Sequence, residues 1–187
     1  MKFFTAVAFI SVMACIPGIS EGGSRNYVLL PTRLSDVTCN KDYIEISKLK
    51  VQKFNKTMSV VKGTFILKKD FPETSNCSVV GYQNTGGGKY RRGSVDLMPT
   101  KCCDFFENDK SIWPAVLKAT NVPIKCPLKK GRYELKNFDI NVANLPDTLP
   151  PPNEWMIELT ATMEDKSMFF KIQGYGEIKR SVNLLGR

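Results

Sequence analysis

Apolar and polar residues alternate with period two along the last long stretch of the chain, Glu154 to Lys179. Trp155, Ile157, Leu159, Ala161 and Met163 are interleaved with Met156, Glu158, Thr160, Thr162 and Glu164. After Glu164-Asp165-Lys166-Ser167, the residues Met168, Phe170 and Ile172 are interleaved with Phe169, Lys171 and Gln173. Successive strand side chains point to opposite faces, so the pattern predicts two strands joined by a turn, with one continuous apolar face carrying Trp155 and Phe170. A lone hairpin is marginal in water. A face this wide needs a second sheet or a helix against it, or an apolar guest.

Upstream, Ile44, Ile46, Leu49, Val51 and Phe54 are interleaved with Glu45, Lys48, Lys50 and Lys53, and the alternation changes phase between Ile46 and Leu49. That change predicts a bulge or a bend. Met58 to Leu67 carries Val61, Gly63, Phe65 and Leu67 on one face, so the two segments predict an antiparallel pair turning near Asn55-Lys56. Cys77 to Tyr82 predicts a short strand that ends in Gln83-Asn84-Thr85-Gly86-Gly87-Gly88. Lys101 to Thr120 is the helical region: Phe105 or Phe106, Ile112, Val116 and Leu117 recur at helical spacing, and Pro114 divides it into two short helices. A turn at Lys130-Gly131 feeds a strand with Tyr133 and Leu135, then Phe138, Ile140 and Val142 after a one-residue phase shift. Leu145 to Pro152 is proline-rich and reads as a connecting loop. About seven punctuated strands and one helical excursion predict a mainly β protein, a two-sheet β-sandwich.

The N-terminal residues change the compartment. Met1 to Ser20 has a Lys2 n-region, an apolar run from Phe3 to Ile16 and small residues Gly18 and Ser20, the pattern of a signal peptide. Residues 21–187 are then expected to form one secreted domain. Val12-Met13-Ala14-Cys15 also fits a lipoprotein box, with Cys15 as lipid anchor. Later apolar runs fall short of the ~20 residues needed to span a bilayer. The formal charge of +9 drops by one with Lys2 and stays basic, which suits a transient meeting with an anionic membrane surface or acidic glycans. Nucleic acid is not expected, because the basic residues are scattered and the chain is sent out of the cell.

Six cysteines are present, and Cys39, Cys77, Cys102, Cys103 and Cys126 lie beyond the leader. In an oxidising compartment they read as two disulfides and one spare thiol. A zinc site is disfavoured by the absence of histidine and the adjacency of Cys102 and Cys103. Asn55-Lys56-Thr57 and Asn76-Cys77-Ser78 are glycosylation sequons. The glycine run lacks the Gly-Lys-Ser/Thr ending of a phosphate loop and reads as a hairpin tip, with Lys89, Arg91 and Arg92 beside it as the densest basic cluster.

Without histidine, Ser-His-Asp and Cys-His nucleophile pairs are excluded. Asp96, Asp104, Glu107 and Asp109 are the carboxylates left for pairwise catalysis, and they read more readily as a solvated helix face. The expectation is a protein that is not an enzyme and needs no cofactor.

Cys126-Pro127-Leu128-Lys129-Lys130-Gly131-Arg132-Tyr133-Glu134-Leu135 resembles the ganglioside activator protein of the lysosome. The likeness continues through Leu145-Pro146, Trp155-Met156-Ile157-Glu158-Leu159 and Phe170-Lys171-Ile172. With Tyr175-Gly176-Glu177-Ile178-Lys179-Arg180 the fuller pattern, from Val95 to Arg180, resembles the insect CheB-type chemosensory proteins. Both belong with the lipid-recognition β-cups. The resemblance implies an open sandwich whose sheets splay around a hydrophobic cavity, and a bond from Cys103, with Cys102 as the adjacent alternative, to Cys126. The activator also ties its N-terminal cysteine to the last strand, where this chain has Phe169-Phe170; Cys39 is left with Cys77 as a partner or with none.

The resulting expectation is a secreted carrier or co-factor for hydrophobic, lipid-like ligands in contact chemosensation, the gustatory or pheromone detection that the insect resemblance implies. An apolar pocket gains about 25 cal/mol for each Å² of ligand surface removed from water, with no reactive residue required. Candidates for the lining are Phe65, Leu67, Phe106, Trp113, Leu117, Tyr133, Trp155, Leu159 and Phe170. The alternative is a secreted β-sandwich that binds a membrane receptor or ion channel rather than lipid.

Overall fold

The computed structural model describes residues 27–55, 58–109, 113–121, 125–138 and 154–180. The signal-peptide stretch, the Leu145–Pro152 loop, Ile112, Ile140, Val142 and Thr57 of the first sequon lie outside the described residues.

In chain order the elements are β1 (Tyr27–Cys39), β2 (Ile44–Lys53), β3 (Ser59–Leu67), β4 (Asn76–Asn84), β5 (Tyr90–Lys101), α1 (Cys102–Asn108), α2 (Trp113–Ala119), β6 (Gly131–Phe138), β7 (Glu154–Thr162) and β8 (Met168–Arg180). They form a five-stranded sheet, β1-β8-β7-β4-β5, and a three-stranded sheet, β2-β3-β6. Every pairing is antiparallel. Over the described residues the chain is a mainly β, two-sheet β-sandwich with two short helices.

The β7–β8 hairpin turns as the polar residues at its tip demand. Asp165 Oδ1 accepts from the Ser167 backbone N–H at 2.9 Å, and Lys166 takes the left-handed conformation at φ 66°. The register runs Leu159 opposite Ile172 and Ala161 opposite Phe170, then shifts so that Thr162 faces Met168. Phe169 is the extra residue at that shift and turns inward, fully buried, edge-on to Phe71 at 4.8 Å and to Tyr43 at 5.7 Å. Phe170 stands on the apolar face that alternation predicts, opposite Ala161 and half-buried against the same cluster, and the bulge adds Phe169 beside it as the fully buried ring.

The phase change in β2 is also a bulge: the pairing with β3 shifts between Ser47 and Lys50, with Lys48 at φ 56°. The phase shift near Phe138 coincides with Asn137 at φ 51° and with a break in the β3–β6 register between Val61 and Gly63. Pro114 falls second in α2, where a missing N–H costs no helical hydrogen bond.

Two strands escape the sequence pattern. β1 carries Pro31 and two register shifts, tolerable because it is an edge strand, and it pairs along β8 from Tyr27 opposite Arg180 to Cys39 opposite Phe170. β5 mixes basic residues, Gly93 and Asp96 into the other edge of that sheet.

The turn at Asn40 to Tyr43 carries the chain from one sheet to the other, and β1 adjoins β2 and β3 there. Across the opposite opening, α1 packs on β4 and β5 while α2 packs on β6. The main cluster gathers the start of β2 (Ile44), the end of β3 (Leu67), the start of β6 (Tyr133), the end of β7 (Ala161), the start of β8 (Phe169) and α1 (Cys102, Phe106). It therefore occupies one end of the sandwich.

Candidate functional site

The cysteines fix that filled end. Cys77 of β4 is bonded to Cys102, and Cys103 to Cys126 ahead of β6. Neighbouring helical residues point roughly 100° apart, so one adjacent pair reaches two partners and pins α1 to both sides of the opening. The Cys103–Cys126 pairing is the one the resemblance implies, whereas Cys102, the adjacent alternative, bonds to Cys77 instead. That leaves Cys39 a free, half-buried thiol. Asp70 closes the same corner, accepting from the Lys130 backbone N–H at 2.7 Å and from Lys129 Nζ at 2.9 Å, which hold its carboxyl below the usual range.

The lining candidates divide by position. Leu67, Phe106 and Tyr133 are buried in the packed cluster. Phe65 stacks on Tyr133 with ring centroids 5.0 Å apart, and Leu117 and Phe170 pack partly buried against that cluster. Leu159 and Trp155 lie beyond it. Trp113 opens α2, and its side chain is outside the described residues.

Beyond Ala161, the apolar face of the five-stranded sheet changes character. Leu159, Ile157 and Ile172 on that face are half-buried. Ile157 stands between two glycines, Gly81 of β4 and Gly174 of β8, and Trp155 stands opposite Gly176. Trp155 itself is only 3% exposed, lying over Gly93, where a Cβ would come 3.2 Å from its Cζ3. Its indole Nε1 is buried without a hydrogen-bond partner. Sequence alternation shows Trp155 and Leu159 to be apolar-face residues; it does not show that Ile157 between them has glycine on both neighbouring strands, nor that Trp155 faces Gly176.

The opposite face of that sheet carries a polar network that the sequence reading missed, because its members come from five strands. Glu154 accepts from Tyr90 Oη and Asn84 Nδ2, both at 2.5 Å, and these bonds hold its carboxyl below the usual range. Burial and the same carboxylate push Tyr90 up. Burial tends to raise Glu158, but Lys171 at 2.8 Å and Gln173 at 2.8 Å outweigh it and hold the carboxyl low. The Arg33 guanidinium sits 3.4 Å from the Tyr175 ring centroid.

The remaining candidates are scattered. Arg92 is paired with Asp96 at 2.6 Å, while Lys89 and Arg91 are exposed beside a tip whose three glycines all have positive φ. Asp104 and Glu107 are exposed on α1, and Asp109 is buried. Asn55 is exposed, and Asn76 begins β4, half-buried, between β5 and β7. Among the described residues no cluster of three or more His, Cys, Asp or Glu is placed to hold a metal, and no helix is long and apolar enough to cross a membrane.

A groove of about 600 Å³ crosses the three-stranded sheet, lined by Lys48, Leu49, Lys50, Lys62, Gly63, Thr64, Glu134, Leu135, Lys136 and Asn137. The interleaved lysines of β2 gave part of its signal; Lys62 and Lys136 join them only through strand pairing.

Residues 79–157 match a family described as protein of unknown function (DUF1091). The matched stretch runs from within β4 into β7 and so takes in β5, both helices and β6. No curated protein matches the chain.

Proposed function

We propose that the protein is a secreted, non-catalytic binding protein for hydrophobic, lipid-like ligands, acting as a carrier or co-factor in contact chemosensation. The observation that carries this reading is the incomplete burial of one apolar face. The main packed cluster ends near Ala161 and Phe170, and Leu159, Ile157 and Ile172 continue the face half-buried between the buried Val79 and Trp155, with glycines flanking Ile157. An apolar surface left wet costs about 25 cal/mol per Å², and a ligand chain laid on it recovers that free energy. Two disulfides are consistent with an extracellular site of action. The resemblance to the ganglioside activator and to the CheB-type chemosensory proteins supports both the lipid-like ligand and the sensory setting.

The test is mass spectrometry of protein secreted from insect cells, with glycans trimmed, under native and denaturing conditions, alongside analysis of organic extracts. A reproducible adduct that disappears on denaturation is expected. Empty protein that also refuses fatty acids, hydrocarbons and glycolipids would overturn the carrier reading. The function would then shift to a partner of a membrane receptor or channel, for which exposed Met98 and Phe54 are the first contact residues to substitute.

A further inference from the structure

The sequon Asn76-Cys77-Ser78 opens β4, which pairs with β5 on one side and β7 on the other. Register partners share a face of a sheet, so Asn76 and Ser78 stand with Thr162 and Thr160 on the polar face, while Cys77 stands with Ala161 on the apolar one. The apolar side is closed. Cys77 is 1% exposed and bonded to Cys102, whose backbone N–H donates to the Ser75 carbonyl at 2.9 Å. On the polar side Asn76, Ser78, Thr160 and Thr162 are half-buried and Lys101, the β5 partner of Asn76, is exposed. The Asn76 carboxamide makes no hydrogen bond among the described residues, nor is it buried away from water.

A carboxamide so placed can carry a glycan in the folded protein but cannot acquire one there. In an extended strand the side chains of Asn76 and Ser78 leave the backbone about 7 Å apart, and the Asn76 backbone is held between Lys101 and Thr162. A transferase that reads the carboxamide and the hydroxyl together needs this segment out of the sheet. Pairing of β4 and closure of Cys77–Cys102 remove that freedom. Cys102 follows 25 residues later in the chain, a delay of roughly 1–5 s during synthesis. Disulfide formation then takes seconds or longer.

We infer that Asn76 is a glycan attachment site whose use is limited in time by its own middle residue. The amide nitrogen of Asn76 displaces a lipid pyrophosphate from C1 of a lipid-linked oligosaccharide and gives up one proton. The opportunity ends when the thiols of Cys77 and Cys102 pass two electrons and two protons to a protein disulfide oxidant of the secretory lumen. Both glycan-bearing and bare chains then reach the same fold with the same bond. The sugar projects over Thr160 and Thr162, away from Ile157, Leu159 and Ile172, and leaves the apolar face uncovered. The site rests on the secretion named in the proposed function and not on its ligand.

Wild type, Cys102→Ala and Ser78→Ala are expressed in a secreting cell line, with a further wild-type culture in mild dithiothreitol. Lumenal and secreted protein are pooled and treated with a glycan-releasing amidase in heavy-oxygen water, which leaves labelled aspartate where a glycan stood, and the peptides are counted by mass spectrometry. Asn55-Lys56-Thr57, a sequon without cysteine, is the internal control. The bare fraction at Asn76 is expected to fall at least about twofold in Cys102→Ala and in reductant, with Asn55 unchanged. Ser78→Ala should be bare at Asn76 and still form Cys77–Cys102. The label records events during entry, so Cys102→Ala need not fold to be read. Lumenal protein bare at Asn76 in every culture overturns the proposal, and so does an occupancy that neither Cys102→Ala nor reductant alters. An equal change at Asn55 also overturns it, because slow folding in general would then be the cause. All three results leave the carrier reading standing, whereas protein that never enters the lumen sinks both.

Discussion

Where β7 turns into β8, Phe169 is wholly buried between Tyr43 and Phe71, and two disulfides tie α1 across the opening of the sheets. A few residues along the same strands, Ile157 has glycine on both sides, and Ile157, Leu159 and Ile172 are half-buried, while Trp155 beside them is buried. The strands are continuous from one end to the other, so backbone pairing does not distinguish the two ends; side-chain volume does. Stability in such a molecule is concentrated where side chains interlock, and the less tightly packed stretch can open locally without unfolding the rest.

The sharpest way to break that comparison is by paired truncations. Phe169→Ala removes a fully buried ring from the filled end and is expected to cost about 3–5 kcal/mol in urea unfolding. Leu159→Ala, on the half-buried face, is expected to cost less than about 2 kcal/mol in unliganded protein. Equal costs would mean that both ends are equally packed. Removing the Cys103–Cys126 bond with a double serine variant releases a loop whose ends are 23 residues apart. The loss is expected to be about 3 kcal/mol, seen as a lower thermal midpoint under non-reducing conditions. Gly63→Val is next, at about 1–3 kcal/mol, because the new side chain must push Leu49 backbone away.

Much of this arrangement was legible in the sequence. The β2–β3 and β7–β8 hairpins followed from alternation with period two, and the split of the helical region followed from Pro114, because those signals are local. The inward turn of Phe169 beside Phe170 was not legible, since a bulge adds one residue at a point set by the partner strand rather than by the chain's own periodicity. β1 was hidden by Pro31 and by its register shifts, and its place beside β8 is a contact between opposite ends of the chain. The same limit applies to the site. Trp155 and Leu159 could be assigned to an apolar face, yet Gly81 and Gly174 become neighbours of Ile157 only through pairing, as do Lys50 and Lys62 of one another.

The smallest expected effect concerns pH. Glu154 and Glu158 are both held below the ordinary glutamate value of 4.5 in the folded protein. Their contribution is therefore complete above that value and is lost as pH falls through the lowered folded values. Both lie near the surface, so the combined effect should stay under about 1 kcal/mol. Urea midpoints between pH 7 and pH 3 should decline less steeply in Glu154→Gln/Glu158→Gln than in wild type; an unchanged slope would show that the network on this face contributes nothing to the less filled end.

The pairing of β1 with β8 sets Tyr27 opposite Arg180, so the two extremes of the described chain lie side by side. At the same time the Gly86–Gly88 tip stands clear, with nothing within 4 Å of where its side chains would be. In connectivity the sandwich is almost a ring, closed at one seam by hydrogen bonds instead of a peptide and passing elsewhere through a tip whose three glycines have open space, among the described residues, where side chains would stand. Which strand comes first is thus separable from which strands are neighbours, and a rearranged chain that begins at β5 and ends at β4, with a linker joining the old extremes, would keep every strand pair of the fold.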